Sequence, residues 1–279
     1  MTNTSFRRET INKLSKIMSQ QEATSELDFL LREEFGINKK DELLNPNIIL
    51  AYKNDIENIV NIRIKTRKPL QYIINKATFL SDVYYVDENV LIPRPETELL
   101  VNEILKQANN KSKILDIGTG SGCIAISLAK LLKNDNITTC DISENALSVA
   151  EKNHKIICPE RKIHFVHSDL FKNIKEKYDI IVSNPPYIDP VLKQAMQPEV
   201  LEYEPHGALF AEEEGMLIYR KIIEQAKNYL NSNGLLAFEI GINQAEKIKM
   251  LLEKNHFEKV TIISDFTPID RIILAYYNL

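Results

Sequence analysis

The larger part of this chain is predicted to be an α/β fold with a seven-stranded, mostly parallel sheet, preceded by a small helical bundle and a β-hairpin connector. Three observations predict it. From residue 97 onward, short apolar runs alternate with amphipathic stretches, and such alternation implies a parallel sheet with helices on both faces. Three of the eight glycines, Gly118, Gly120 and Gly122, crowd into one loop directly after the first of those runs. Residues 1–80 have apolar residues three to four apart, with prolines only at Pro46 and Pro69, the pattern of a bundle.

Taken in order, residues 10–18 read as a helix by periodicity. A second helix opens near Ser25 and closes at Gly36, and a third spans 56–67. Residues 78–80 and 84–86 read as strands flanking a turn, and Pro93 and Pro95 stiffen the entry to the second domain. Predicted strands then fall at 113–117, 136–140, 162–166, 178–183, 234–240, 258–264 and 271–277. Helices lie near 97–108, 122–133, 143–155, 215–231 and 243–254. The last two strands are joined by a loop, so the final one is expected to be antiparallel. Segment 188–214 breaks the alternation; with Pro190, Pro198, Pro205 and several acids it reads as a substrate-facing loop. The expected domains are 1–76, a helical substrate-docking part; 77–96, the hairpin connector; and 97–279, the catalytic part.

Two motifs carry chemistry. Asn184-Pro185-Pro186-Tyr187 follows the strand-like run 178–183. Its prolines fix the backbone and remove two N–H donors, and a residue before proline is held extended. The Asn184 side-chain amide and the carbonyls of Asn184 and Pro185 can therefore be aimed rigidly at one small polar group, with Tyr187 stacking on it. The guest that fits is a planar nitrogen bearing N–H bonds, an amide or an exocyclic amine. Upstream, Asp116-Ile117-Gly118-Thr119-Gly120-Ser121-Gly122 leads into a helical pattern. Glycines allow close backbone approach, and the helix start adds unpaired N–H groups and a positive dipole end. The spacing is Gly-x-Gly-x-Gly, not the dinucleotide Gly-x-Gly-x-x-Gly. With no pyrophosphate to bind, Asp116 can attract an ammonium and sulfonium. Asp141, ending the next strand, fits ribose hydroxyls. Asp169 can accept from an adenine amino group, with Leu170 and Phe171 covering the ring.

On these residues the chain resembles S-adenosylmethionine-dependent methyltransferases of the Rossmann-like class I. It more narrowly resembles the HemK/PrmC family of protein-(glutamine-N5) methyltransferases. The likeness covers nearly the whole chain: Pro69-Leu70-Gln71-Tyr72-Ile73, Leu91-Ile92-Pro93-Arg94-Pro95-Glu96-Thr97-Glu98, Tyr203-Glu204-Pro205, Tyr219-Arg220, and Glu239-Ile240-Gly241 with Gln244 all take part. The resemblance implies methylation of the side-chain amide nitrogen of the glutamine in the Gly-Gly-Gln loop of class-1 peptide chain release factors. S-adenosyl-L-methionine is the implied cofactor, and the helical domain is implied to help dock the release factor. Asn184, Pro185 and Tyr187 are the expected catalytic residues, and Pro186 joins them in holding substrate. Asp116, Gly118, Thr119, Gly120, Ser121, Gly122, Asp141, Asp169, Leu170, Phe171 and Asn184 are the expected cofactor contacts. Two alternatives share this chemistry: a glutamine methyltransferase acting on a ribosomal protein, and an N-methyltransferase of adenine or cytosine in nucleic acid. Arg94 and Glu96 fit a role at the cofactor, at the substrate loop or at the domain boundary. Where the family usually has Gly after Pro-Leu-Gln-Tyr-Ile, this chain has Ile74 and Asn75, and Asn75 is expected to take the left-handed backbone. Many relatives have Trp where Leu170 stands.

Composition agrees with this reading. With 279 residues, 44% of them hydrophobic and 27% charged, an ordinary globular protein is expected. Net charge is −4, with residues 1–80 at +3 and the remainder at −7, which speaks against a direct grip on nucleic-acid phosphates. The one basic run, Arg63, Lys65, Arg67 and Lys68, reads as a solvated helix end, or else as a contact for an acidic surface. Cys123, Cys140 and Cys158 have no metal-ligand spacing and the five histidines are scattered, so no metal is expected and the thiols are taken as reduced and buried. Without a signal-like segment or an 18-residue apolar run, a cytoplasmic, non-membrane protein is expected; a monomer is the expected state, although no feature of the sequence fixes it.

Overall fold

A computed structural model describes residues 2–278. The chain divides into two compact units. One comprises the residues up to Lys76 together with Gln197–Tyr203, and the other Ala77–Met196 with Glu204–Leu279.

The first unit contains α1 (Asn3–Leu14), α2 (Gln20–Phe35), α3 (Lys39–Leu44), α4 (Lys53–Thr66) and α5 (Leu70–Ile74). α1 and α2 start earlier than periodicity suggests because capping boxes nucleate them. Thr2 and Ser5 cap α1, and Ser19 and Glu22 cap α2, which leaves Ser25 in mid-helix. Gly36 closes α2 at φ +66°, and Asn75 closes α5 at φ +54°, the left-handed position expected of it. Phe6, Leu14, Leu27, Leu30, Leu31, Ile56 and Val60 form one core.

The basic run divides: Lys65 is exposed, as a solvated helix end would be, whereas Arg63 and Arg67 are engaged within the fold. Arg63 is buried. Its Nε lies 2.9 Å from Glu26 Oε1, and its Nη1 donates to the Arg67 carbonyl at 2.8 Å and lies 3.4 Å from Glu199 Oε1. Arg67 Nη2 reaches the same Glu199 oxygen at 2.9 Å. Glu199 belongs to a short helix, α9 (Pro198–Tyr203), and Tyr203 Oη donates to the Thr66 carbonyl at 2.6 Å. A cation spacing alone cannot reveal partners that arrive from over 130 residues away.

The second unit opens with a hairpin, β1 (Ala77–Phe79) and β2 (Asp82–Tyr84), whose register is Ala77↔Tyr84. It lies slightly N-terminal to the predicted strands because Leu80, at φ +52°, takes the turn. Then come α6 (Pro95–Gln107), β3 (Ile114–Ile117), α7 (Cys123–Leu132), β4 (Ile137–Asp141), α8 (Glu144–Ile157), β5 (Ile163–His167), β6 (Tyr178–Ser183), α10 (Leu217–Ala226), β7 (Leu230–Glu239), α11 (Ala245–Lys254), β8 (Phe257–Ser264) and β9 (Asp270–Tyr277). The sheet order is β5-β4-β3-β6-β7-β9-β8. β9 runs antiparallel to both its neighbours, as expected of the last strand, and the pairings from β5 through β7 are parallel.

β3 and β6 are apolar almost throughout because helices cover both faces of the sheet. Leu115, Ile117 and Ile181 join Tyr219, Ile222 and Phe238 on one face; Ile114, Ile180 and Val182 join Leu100, Val101 and Leu128 on the other. All three cysteines are free and buried. The segment after β6 is not an open loop: it carries 3-10 turns at Pro190–Ala195 and His206–Ala208 besides α9, and Ile188 bridges to Phe210. Among the described residues no helix is long and apolar enough to cross a membrane.

Candidate active site

The strand order reverses at β3. The chain passes outward through β4 and β5, then returns to place β6 on the other side of β3. In such sheets ligands bind at the carboxyl ends flanking this switch point. Ile117 pairs with Ser183, and Ser183 Oγ donates to the Ile117 carbonyl at 2.6 Å. The glycine loop and the Asn-Pro-Pro-Tyr box therefore leave the sheet side by side.

The three glycines divide their work. Gly118 and Gly120 have φ of +80° and +53°, and a Cβ on either would enter open space. Gly122, at φ +83°, packs so closely under α8 that a Cβ would lie 2.7 Å from Ile126 Cδ1 and 3.1 Å from Ala150 Cβ. Two glycines thus leave a cradle open while the third seats the loop. Asp141 ties the loop to the next strand: its Oδ2 accepts from Gly120 N at 3.0 Å and its Oδ1 from Ser143 N at 2.9 Å. Each oxygen keeps a lone pair for a further donor.

Asp116 is wholly buried, so as the loop stands it is not the direct cofactor contact expected of it. Burial pushes its carboxyl up to about 7, against the opposing bond from the Thr139 hydroxyl, which donates to Oδ2 at 2.8 Å. Asp116 Oδ1 and Thr119 Oγ1 lack partners in hydrogen-bonding geometry, although the Thr119 hydroxyl is near enough to favour the carboxylate.

Asp169 is exposed beyond β5, and Leu170, at φ +49°, is partly covered. Phe171 is different: it is 1% exposed and stacked on Tyr229, with ring centroids 4.5 Å apart. Its face is spent in the core and is not offered to an adenine ring. Ser168 Oγ donates to the Leu170 carbonyl and accepts from Asn173 N, holding the turn.

In the Asn-Pro-Pro-Tyr box, Asn184 is half-buried and Pro185 buried. Asn184 Nδ2 donates to Thr97 Oγ1 at 3.1 Å, and Thr97 Oγ1 donates to Glu239 Oε2 at 2.6 Å. The Tyr187 hydroxyl lies 3.5 Å from Glu239 Oε1, a weak contact at that length. The Tyr187 backbone is held more firmly. Gln244 Nε2 donates to the Tyr187 carbonyl at 3.0 Å while its Oε1 accepts from Gly241 N at 3.0 Å. A Cβ on Gly215 would lie 2.0 Å from the Tyr187 carbonyl oxygen.

Sequence reasoning quoted Thr97, Tyr219, Glu239 and Gln244 as parts of resembling segments but assigned them no role. Glu239 had a usable signal, since it is a strand-end acid like Asp116 and Asp141. Thr97 had none, because only the fold brings the start of α6 against the end of β7. Arg94 is bound by Glu204, with Nη2 at 2.6 and 2.7 Å from the two carboxylate oxygens, and Glu96 lies 3.8 Å from Arg271.

The family model of the methyltransferase small domain matches residues 95–201. The release factor glutamine methyltransferase of Flavobacterium psychrophilum is 40% identical over 282 residues, covering 98% of each chain. That of Lactococcus lactis subsp. lactis is 40% identical over 266 residues, covering 94% of this chain and 98% of the relative. Among solved structures, a methyltransferase from Pyrococcus furiosus matches with a TM-score of 0.53 at 17% identity, covering 81% of this chain and 99% of its own, a likeness of fold. Full-length identity at this level, with the glycine loop and the Asn-Pro-Pro-Tyr box meeting at one switch point, makes this chain a member of the release factor glutamine methyltransferase family.

Proposed function

We propose that this protein methylates the side-chain amide nitrogen of the glutamine in the Gly-Gly-Gln loop of class-1 peptide chain release factors. S-adenosyl-L-methionine is the donor, and the protein works as a cytoplasmic monomer without gripping nucleic acid or membrane. The single observation that carries the reading is the Asn184 bond to Thr97, 3.1 Å from Nδ2 to Oγ1. It commits Nδ2 to Thr97, so that Oδ1, with the Pro185 carbonyl, is the acceptor proposed for the substrate nitrogen.

The residues present fit the cofactor. The open space over Gly118 and Gly120, with the buried Asp116 carboxyl behind the loop and not in contact, suits a ligand with cationic groups. Asp141, with both oxygens already oriented by backbone N–H groups, suits a ribose diol. Asp169 and Leu170 suit the adenine, and Ser121 and Gly122 carry the loop into α7. When bound, S-adenosylmethionine supplies an electrophilic methyl group.

A glutamine amide nitrogen is a poor nucleophile because its lone pair is delocalised into the carbonyl. Asn184 Oδ1 and the Pro185 carbonyl accept its two N–H bonds and favour a pyramidal nitrogen with a freer lone pair. Pro186 removes a donor that would compete for these acceptors. Tyr187 stacks on the amide plane and excludes water. No strong base is needed, since the methylated amide sheds its extra proton readily to solvent. Alignment of this kind can supply roughly 7–11 kcal/mol in favourable cases.

The test is methyl transfer from labelled S-adenosylmethionine to four targets: a class-1 release factor, the same factor with its loop glutamine changed to alanine, ribosomal proteins, and nucleic acid. Label on the unmodified release factor alone is expected. Label on a ribosomal protein or on nucleic acid instead overturns the substrate while leaving the donor and the fold.

A further inference from the structure

Glu239 is a buried acid that the reaction as described does not use. It ends β7 at 2% exposure, and its Oε2 accepts the Thr97 hydroxyl, itself 2% exposed, at 2.6 Å. A second bond, from Tyr219 Oη to the Glu239 carbonyl at 2.8 Å, holds its backbone. Burying a carboxylate on little more than a hydroxyl is costly, and a neutral side chain would join these elements at less cost. What the carboxylate adds is direction.

A hydroxyl has one proton, and an ionised carboxylate only accepts. The Thr97 proton must therefore point to Glu239, and the Thr97 oxygen can then only accept from Asn184. Without that constraint the Asn184 amide could rotate by 180° at little cost, because its oxygen and nitrogen ends are nearly isosteric. The flipped amide would present NH2 to a substrate amide that is itself offering N–H. We infer that Glu239, acting through Thr97, is a positioning residue that sets the polarity of Asn184, so that Oδ1 faces the substrate nitrogen. This rests on the reading that Asn184 Oδ1 holds the glutamine amide.

The lock depends on the charge of Glu239. The groups facing it are Thr97 and Glu96 from α6, Tyr187 from the box, Tyr219 from α10, Cys123 from α7 and Arg271 from β9. Burial pushes its carboxyl up to about 7, opposed by the Thr97 bond, raised further by Glu96 and lowered by Arg271 and Tyr187. Once protonated, the carboxyl can donate to Thr97 Oγ1, and the Thr97 proton is then free to turn toward Asn184. The amide polarity reverses, and turnover falls as pH drops through the Glu239 pKa.

The test has two readouts on the full chain. The first is kcat for release-factor methylation at saturating S-adenosylmethionine, measured from about pH 5.5 to 8.5 for the wild type, Thr97→Val and Glu239→Gln. Thr97→Val is expected to lower kcat at pH 8 by at least 10-fold while the cofactor Kd moves less than threefold. Glu239→Gln, whose amide oxygen can still accept from Thr97, is expected to turn over several-fold below the wild type but without the acid limb. The second needs no turnover: NMR of the Asn184 side-chain amide protons in the wild type and Thr97→Val, as Glu239 is titrated. The Asn184 signals are expected to shift with the Glu239 carboxyl in the wild type and to lose that coupling in Thr97→Val. Wild-type kcat in Thr97→Val, an acid limb unchanged in Glu239→Gln, or Asn184 signals indifferent to Glu239 would each overturn the lock. A wild-type protein that labels no release factor yet shows the coupled titration overturns the proposed substrate and supports the lock.

Discussion

Two residues of the site lend themselves to direct trial. Asn184 is the acceptor proposed for the reacting nitrogen and is only half-buried, so Asn184→Ala should cost catalysis far more than folding. A drop in kcat of at least 100-fold is expected, with cofactor binding by calorimetry retained within several-fold; full activity would sink the mechanism. Asp116 makes a prediction about stability. Its carboxyl stands at about 7 in the fold against 3.8 when unperturbed, so between these pH values the unfolded chain gives up its proton while the folded chain keeps it. Stability therefore falls as pH rises from about 4 to about 7 and levels off above. The gap of about 3 pH units corresponds to at most ~4 kcal/mol. Glu239 adds in the same direction. In calorimetric melts of ligand-free protein, Asp116→Asn should remove a large part of this decline, and a variant with the wild-type pH dependence would show that Asp116 is not the source.

At the scale of elements, the glycine loop sets a contrast. Alanine at Gly120 would enter open space at a left-handed φ, whereas alanine at Gly122 would meet α7 and α8 as well. Left-handed backbone costs roughly 1–2 kcal/mol for a residue with Cβ, and overpacking adds roughly 1–3 kcal/mol. Gly120→Ala is expected to weaken S-adenosylmethionine binding at least 10-fold with a small change in melting temperature. Gly122→Ala should lower the melting temperature by several degrees more than Gly120→Ala does. Equal melting temperatures in the two variants would contradict this division of labour. Sequence patterning located the loop and the strands around it, because continuous apolar runs and glycine spacing are local signals. It misplaced the starts of α1 and α2, where capping chemistry outweighs periodicity, and it could not see that Phe171 spends its ring on Tyr229.

At the scale of the molecule, the chain leaves the second unit after Met196 and returns at Glu204, with Glu199 in between pairing with Arg63 and Arg67, and Arg63 in turn with Glu26. Breaking a buried ion cluster leaves charge without its partner and costs up to about 3–5 kcal/mol; Glu26 remains for Arg63, so the lower end applies here. In hydrogen exchange, Glu199→Ala should lose protection at 198–203 and in α4 while the sheet from β3 to β7 keeps its own. Unchanged exchange at 198–203 would mean that these pairs do not hold the segment. An acidic partner drawn to the basic run would find Arg63 and Arg67 already engaged.

By itself the sequence determined the seven strands of the main sheet and the longer helices between them, though not the short helices α3, α5 and α9, together with the glycine cradle, the strand-end acids Asp116 and Asp141, and the Asn-Pro-Pro-Tyr box. Each of these rests on residues adjacent in the chain, where dihedral limits, periodicity and turn chemistry act. Only the tertiary structure decided which neutral and charged groups stand behind them. Thr97, Asn184 and Glu239 come from three stretches separated by 87 and 55 residues, and the direction of an amide depends on which partner its hydrogens meet. The same holds for Glu199 beneath Arg63, 136 residues away. Proton placement and burial are properties of neighbours in space, so the polarity of Asn184, the raised carboxyls of Asp116 and Glu239 and the fate of the basic run became legible only once the chain was folded.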